Sequence, residues 1–270
     1  MKIRPYILLG AMFLLFVLTT RASIQEGFNT EKKRLVLLLR GEAFRKGGQG
    51  TRVIGAEDIY DEQMAACKTH IDLIKSIESK GYAVEVFIDT YSTQYDRELK
   101  EVYGTESYVK DARFHTTRLG SQSLLLKDGV EMIGDALSGA DALLILRLDM
   151  YLKPPFMELY DPAAPLIQFF SICAHEWRKT PRGNPRVNEV MFHFSAETFS
   201  KIPMLYAQSV VSWHDLLDVE SLVYGTDYSL LTTKYYDSDT GKDLNPYYRI
   251  VGRDESPLWR SEGKEFPRDQ

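Results

Sequence analysis

Two wholly apolar pentads, Leu35-Val36-Leu37-Leu38-Leu39 and Ala142-Leu143-Leu144-Ile145-Leu146, constrain this chain more than any other feature. Successive side chains of a strand point to opposite faces, so a strand that is apolar at every position must be covered on both. A half-solvated sheet is thereby excluded, and two covering layers are needed. Amphipathic stretches able to supply them lie between the pentads. From Asp58 to Ser79 the residues Met64, Cys67, Ile71, Ile74 and Ile77 recur at steps of three and four, which predicts a helix, and Gly81 is placed to cap it. Val84-Glu85-Val86-Phe87-Ile88 reads as the next strand and Arg97 to Tyr103 as a short helix. Ser121 to Ser138, with Leu126, Val130, Ile133 and Leu137 on one face, predicts another helix before the second pentad. Leu166 to Phe170 and Val190 to Phe194 read as later strands. Strand, helix, strand, helix, strand with right-handed crossovers predicts an α/β fold, a mostly parallel, Rossmann-like sheet flanked by helices.

The two ends of the chain differ from this middle. Pro5 to Thr20 is an uncharged, largely apolar run preceded by Lys2 and Arg4, the pattern of a signal peptide or signal anchor, with Thr20-Arg21-Ala22 offering small residues for cleavage. Residues 1–32 are therefore expected to be a targeting segment with a short stem, contacting the membrane through residues 5–20. Residues 33–270 are expected to form a single α/β domain. Basic residues before the run place that domain in the secretory lumen or outside the cell, anchored if the run is kept and secreted if it is cut. Residues 205–270 are rich in Tyr, Asp and Pro, and Tyr235-Tyr236 and Tyr247-Tyr248 flank Asp239-Thr240-Gly241 as a hairpin would. The balance of 33 basic and 38 acidic residues, with no basic stripe, argues against a nucleic-acid partner. Cys67 and Cys173 can form at most one disulfide and offer no zinc spacing; the ordinary expectation for such cysteines is burial.

In open parallel sheets ligands bind beyond the carboxyl ends of the strands, so the residues following each apolar run are the ones to read. After the first come Arg40 and Gly41, then Arg45, Lys46, Gly47, Gly48 and Arg52, with Glu42 the one carboxylate. Such a loop lets backbone amides and cations approach a diphosphate, or is simply a solvated basic loop. It contains neither GxxxxGK[ST] nor GxGxxG, which argues against a kinase and a nicotinamide enzyme. After the second pentad stand Arg147, Asp149 and Lys153. Asp149 could hold a metal-bridged diphosphate or a sugar hydroxyl, or could merely pair with Arg147, and Lys153 could neutralise a phosphate. Asp89 and Thr90, after the middle strand, suit a ribose or base, or are turn residues. His70 and His193 read as core residues, while His175 and the His214-Asp215 pair sit where a general base would be useful. No HExxH, no His/Asp cluster and no GxSxG elbow is visible in the sequence.

Taken together, Arg40-Gly41-Glu42-Ala43-Phe44-Arg45, Asp89-Thr90-Tyr91 and Arg147-Leu148-Asp149 with Lys153 beyond, behind an N-terminal anchor, resemble a group of glycosyltransferase-like proteins of algae and large DNA viruses. The resemblance covers residues 34–200. It implies a nucleotide-sugar-binding fold of the GT-A class, the first loop on the diphosphate, Asp149 at the position of a Mn2+ or Mg2+ ion or the donor sugar, and a glycan or protein acceptor. His214 or Asp215 would then deprotonate the acceptor hydroxyl. The usual Asp-x-Asp is Arg147-Leu148-Asp149 here, so one expected metal ligand is a cation, which puts metal dependence in doubt. A non-catalytic glycan- or protein-binding module on the same fold, and a sulfotransferase-type enzyme, are the other readings.

Overall fold

The computed structural model describes residues 32–47, 52–104, 108–117, 119, 122–171, 187–188, 190–207, 216–217, 219, 228–232 and 245–252. The chain divides into two units, residues 1–32 and 33–270, and the second contains every described strand and helix. The expected targeting run, the Tyr235-Tyr236 half of the hairpin, Cys173 and His175 lie outside the described residues. Among the described residues, no helix is long and apolar enough to cross a membrane.

Leu35 to Leu39 run through the middle of β1 (Lys33–Gly41) and are wholly buried, as a strand covered on both faces must be. Two short strands, β2 (Arg45–Lys46) and β3 (Val53–Ile54), pair antiparallel in the loop after β1. Helix α1 (Tyr60–Ser79) ends where Gly81 takes a positive φ of 89° and donates its N–H to Glu78. Then come β4 (Tyr82–Tyr91), α2 (Asp96–Gly104), β5 (Val109–His115) and α3 (Gln122–Ile133). The second pentad lies in β6 (Ala142–Arg147), succeeded by β7 (Met150–Leu152), α4 (Pro154–Leu159), β8 (Ile167–Phe169), β9 (Met191–Ser195), β10 (Tyr228–Leu230) and β11 (Tyr248–Ile250).

Seven strands form one mixed, mostly parallel sheet in the order β10-β8-β9-β6-β1-β4-β5. β1 is parallel to β4 and to β6, and β4 is parallel to β5, whereas β9 runs antiparallel to both β6 and β8. Alternation along β1 splits the core into two layers. Leu35, Leu37 and Leu39 pack with Leu73, Ile74 and Ile77 of α1 and with Leu99 and Tyr103 of α2. Val36 and Leu38 face the other way, onto Leu126 and Ile133 of α3 and onto Ile202 and Leu205. Each such buried side chain stabilises the fold by about 1.5–3 kcal/mol relative to exposure.

Two departures from the sequence reading have physical causes. β5 escaped notice because Lys110, Asp111, Arg113 and His115 fill an edge strand, where charge guards an open ladder and no apolar run forms. The helix expected through Ser138 is α-helical only to Ile133 and tightens to 3-10 geometry over Gly134–Leu137, where Gly134 has a φ of 47°.

Candidate functional site

From β1 the chain steps outward to β4 and β5, then returns to lay β6 on the opposite side of β1. The loops leaving β1 and β6 therefore diverge, and in open α/β sheets ligands settle in the crevice at such a switch point. Arg40 and Arg147 are register partners across it, and Asp89 is the partner of Arg40 on the other side. Residues in register on parallel strands share a face, so Asp89, Arg40 and Arg147 form a row across three neighbouring strands.

Backbone geometry holds the first loop close to the sheet. Gly41 has a φ of 122°, and the Leu148 N–H donates to the Arg40 carbonyl at 2.8 Å, tying the two diverging loops at their base. Thr90 Oγ1 donates to the Gly41 carbonyl at 2.7 Å and accepts from the Ala43 N–H at 3.3 Å. Thr90 thus anchors this turn from within β4. Asp89 likewise lies inside the strand, because β4 continues to Tyr91.

The cations of the site are mostly buried. Arg40 is 2% exposed, with its guanidinium carbon 5.8 Å from the centre of the Phe192 ring. The Glu42 carboxylate is shared by Arg45 at 3.1 Å and Arg52 at 3.5 Å. Lys46 pairs with Asp58 at the loop's outer edge. Gly47, with a φ of 84°, donates to the Gly252 carbonyl at 2.8 Å; Gly48 lies outside the described residues. Across the crevice Arg147 grips Asp149 with two hydrogen bonds, Nε to Oδ1 at 2.9 Å and Nη2 to Oδ2 at 2.7 Å. Lys153 donates its ammonium to the Asn245 carbonyl at 2.6 Å. Among the described residues Arg40, Arg45, Arg52, Arg147 and Lys153 stand here against Glu42, Asp89 and Asp149, an excess of positive charge suited to an anion.

The grip of Arg147 bears on the role of Asp149. A buried, bidentate carboxylate–guanidinium pair is costly to break, because the remaining charge is stranded away from water. Asp149 has one lone pair on each oxygen engaged by Arg147, so any cation it met would share the carboxylate with that guanidinium. Its place is therefore that of a charge partner which fixes the Arg147 guanidinium at the strand end. His214 and Asp215 lie outside the described residues. His70 and His193 are buried core residues: His70 touches the Tyr103 hydroxyl and the Met150 carbonyl, and His193 touches the Tyr160 hydroxyl and the Ala164 carbonyl.

One histidine was missed by the sequence reading. His115, the last residue of β5, places Nε2 2.7 Å from Asp89 Oδ1 and 3.3 Å from Asp128 Oδ2 of α3. The absence of a His/Asp cluster, expected from the sequence, is thereby corrected: Asp89, His115 and Asp128 each bring a ligand atom within 4.8 Å of the others. Spacings of 26 and 13 residues hide the cluster in the linear chain; the β4–β5 register, Tyr91 beside His115, and the packing of α3 on β4 assemble it. Arg113 pairs with Asp128 at its rim. Burial pushes the Asp89 carboxyl up to about 6, against the lowering pull of His115.

No family model matches the chain, and no curated protein matches it. Among solved structures it is similar to a 4-diphosphocytidyl-2C-methyl-D-erythritol synthase from Anaerococcus prevotii, at 9% identity over 75% of this chain and 90% of that one, with a TM-score of 0.46. It is also similar to a glycosyltransferase involved in glycosylation of the major capsid of PBCV-1, at 9% identity over 70% and 73% of the two chains, TM-score 0.37. A galactosyltransferase in complex with donor and acceptor sugar analogues gives 11% identity over 73% and 72%, TM-score 0.37. Likeness at these scores decides neither activity nor residue roles.

Proposed function

We propose that this chain is a glycosyltransferase-like protein of GT-A type that transfers a sugar from a nucleotide-sugar donor to a glycan or protein acceptor. The observation that carries the reading is the pairing of Arg40 with Arg147 at the topological switch point, continued by Arg45, Arg52 and Lys153 in the two loops above it. A diphosphate leaving group develops negative charge as the glycosidic bond to the donor breaks. Cations fixed beforehand in a partly dry site stabilise that charge without reorganising. Arg147 is held in place by Asp149, and Arg45 and Arg52 are held by Glu42, so three of the five are pre-oriented by carboxylates. His214 or Asp215 would take the proton of the acceptor hydroxyl. In this reading residues 5–20 anchor the protein, and the domain works in the secretory lumen or outside the cell.

One observation favours a second reading. Asp149 already gives both oxygens to Arg147, which suits a domain that binds a glycan or protein partner without turnover. A thermal-shift panel on the full-length protein separates the two, using nucleoside diphosphates, nucleotide sugars, adenosine bisphosphate and free glycans. A ligand at a hundred times its dissociation constant stabilises by about 2.7 kcal/mol, a shift of roughly 5–10 degrees at this size. The transferase reading expects a shift with one nucleotide diphosphate, lost in Arg52→Gln and Lys153→Gln. No shift with any nucleotide overturns it, and a shift with a free glycan alone selects the binding module.

A further inference from the structure

On the β4–β5 side of the crevice, the described residues bring metal-ligating side chains together at the edge of the sheet. We propose that Asp89, His115 and Asp128 bind one first-row divalent cation, Mn2+ or Zn2+, through a carboxylate, an imidazole and a second carboxylate. The three side chains arrive from different elements, β4, β5 and α3, and their ligand atoms lie within 4.8 Å of one another.

Two further observations bear on the site, the first on a ligand and the second on how α3 reaches it. Asp89 is fully buried, and its Oδ2 accepts no hydrogen bond, although His115 satisfies Oδ1. A buried carboxylate oxygen left without a donor is costly, and a cation beside it removes that cost. The second observation is Gly129, in the middle of α3. A Cβ there would stand 3.1 Å from Asp89 Oδ2 and 3.2 Å from Leu38. The lack of a side chain lets α3 pack closely on β4 at this point, where its next residue N-terminally, Asp128, belongs to the cluster. Glycine inside a helix costs about 1 kcal/mol relative to alanine, so close approach comes at the expense of helix propensity.

The geometry requires little movement. His115 Nε2 is 2.7 Å from one carboxylate and 3.3 Å from the other, and bonds of about 2.0–2.2 Å to a shared ion need these gaps to widen by under about 1 Å. Nε2 now donates its hydrogen to Asp89; on binding, the ring changes tautomer, its single proton passing to Nδ1 through solvent and leaving the Nε2 lone pair for the ion. Arg113 bonds the same Asp128 Oδ2 that lies 3.3 Å from His115, so the ion would share that oxygen's second lone pair or take Oδ1, with Arg113 fixing the carboxylate. An imidazole with only two carboxylates suits Mn2+ or Zn2+ and falls short of the six to eight oxygens that Ca2+ takes. Asp128 is the most exposed of the three ligands, so the open coordination positions face outward there, available to water or a phosphate oxygen. The ion would sit on β4 and β5, two strands from Arg147, and does not depend on sugar transfer taking place.

Isothermal titration calorimetry of the metal-free, full-length protein with MnCl2, ZnCl2, MgCl2 and CaCl2 tests the site. Saturable one-to-one binding of Mn2+ or Zn2+ is expected, weakened about tenfold or more in both His115→Ala and Asp128→Asn, with Ca2+ the weakest. Circular dichroism checks that each variant is folded, and if one is not, the other decides. Absence of saturable binding, or an affinity unchanged in a folded variant, overturns the proposal.

Discussion

His70 shows how a single residue's surroundings fix its chemistry. Its Nε2 lies 2.6 Å from the Met150 carbonyl, which can only accept, so Nε2 carries the proton and Nδ1 accepts from the Tyr103 hydroxyl at 2.7 Å. Full burial lowers its pKa to about 4, with the Met150 carbonyl and the charge of Asp149 pulling the other way. The ring is neutral in the folded protein while an unfolded histidine titrates near 6.5, so between about 6.5 and 4 the unfolded chain binds the extra proton. Stability contributed by this group is therefore present above pH 6.5 and falls with pH, at up to about 1.4 kcal/mol per pH unit. His70→Gln should cost about 1–3 kcal/mol at pH 7 and flatten the loss between pH 6.5 and 4 in urea melts. A slope equal to that of the native protein would refute the assignment.

At the scale of elements, α3 illustrates propensity yielding to packing. Replacing Gly129 by alanine would gain about 1 kcal/mol in an isolated helix. Here the new methyl meets Asp89 Oδ2 and both Leu38 methyls at 3.1–3.2 Å, so wholly buried Leu38 must shift by a few tenths of an ångström within the core. Gly129→Ala should therefore destabilise, by on the order of 1–2 kcal/mol in chemical denaturation, and Gly129→Val by more. A stabilised alanine variant would show that α3 can lift from the sheet. The same close contact explains why the Ser121–Ser138 pattern gave the existence and inward face of the helix while its functional carboxylate, Asp128, passed unnoticed: amphipathic periodicity reports what faces the core and is silent about what the rim meets.

Across the whole molecule, distant stretches of chain close on the crevice. β11 pairs antiparallel with β7, the Val251 N–H donates to the Asp149 carbonyl at 2.8 Å, and Asn188 donates to the Tyr248 hydroxyl at 2.8 Å. Gly252 passes so close to Arg45 that a Cβ would lie 1.8 Å from its carbonyl oxygen. Tyr248, Ile250 and Val251 are buried, and removing them exposes apolar surface worth about 1.5–3 kcal/mol each. That sum rivals the roughly 5–15 kcal/mol by which domains are stable. Truncation after residue 244 should abolish cooperative thermal unfolding or lower its midpoint by about ten degrees or more in calorimetry. An unchanged melt would show the last segment to be an appendage.

The sequence alone determined the layered α/β class, the central strands and the two longer helices, because burial on both faces leaves an unbroken apolar run and burial on one leaves a 3.6-residue period. It also marked Arg40, Arg45, Arg147 and Asp149 as strand-end residues, since following a buried strand is a property of local order. Tertiary structure alone decided what these groups meet. The antiparallel course of β9, the charged edge strand β5, the bidentate hold of Arg147 on Asp149 and the meeting of Asp89, His115 and Asp128 all depend on strand order and register. Those are set by long-range packing, which leaves no periodic trace in the residues themselves.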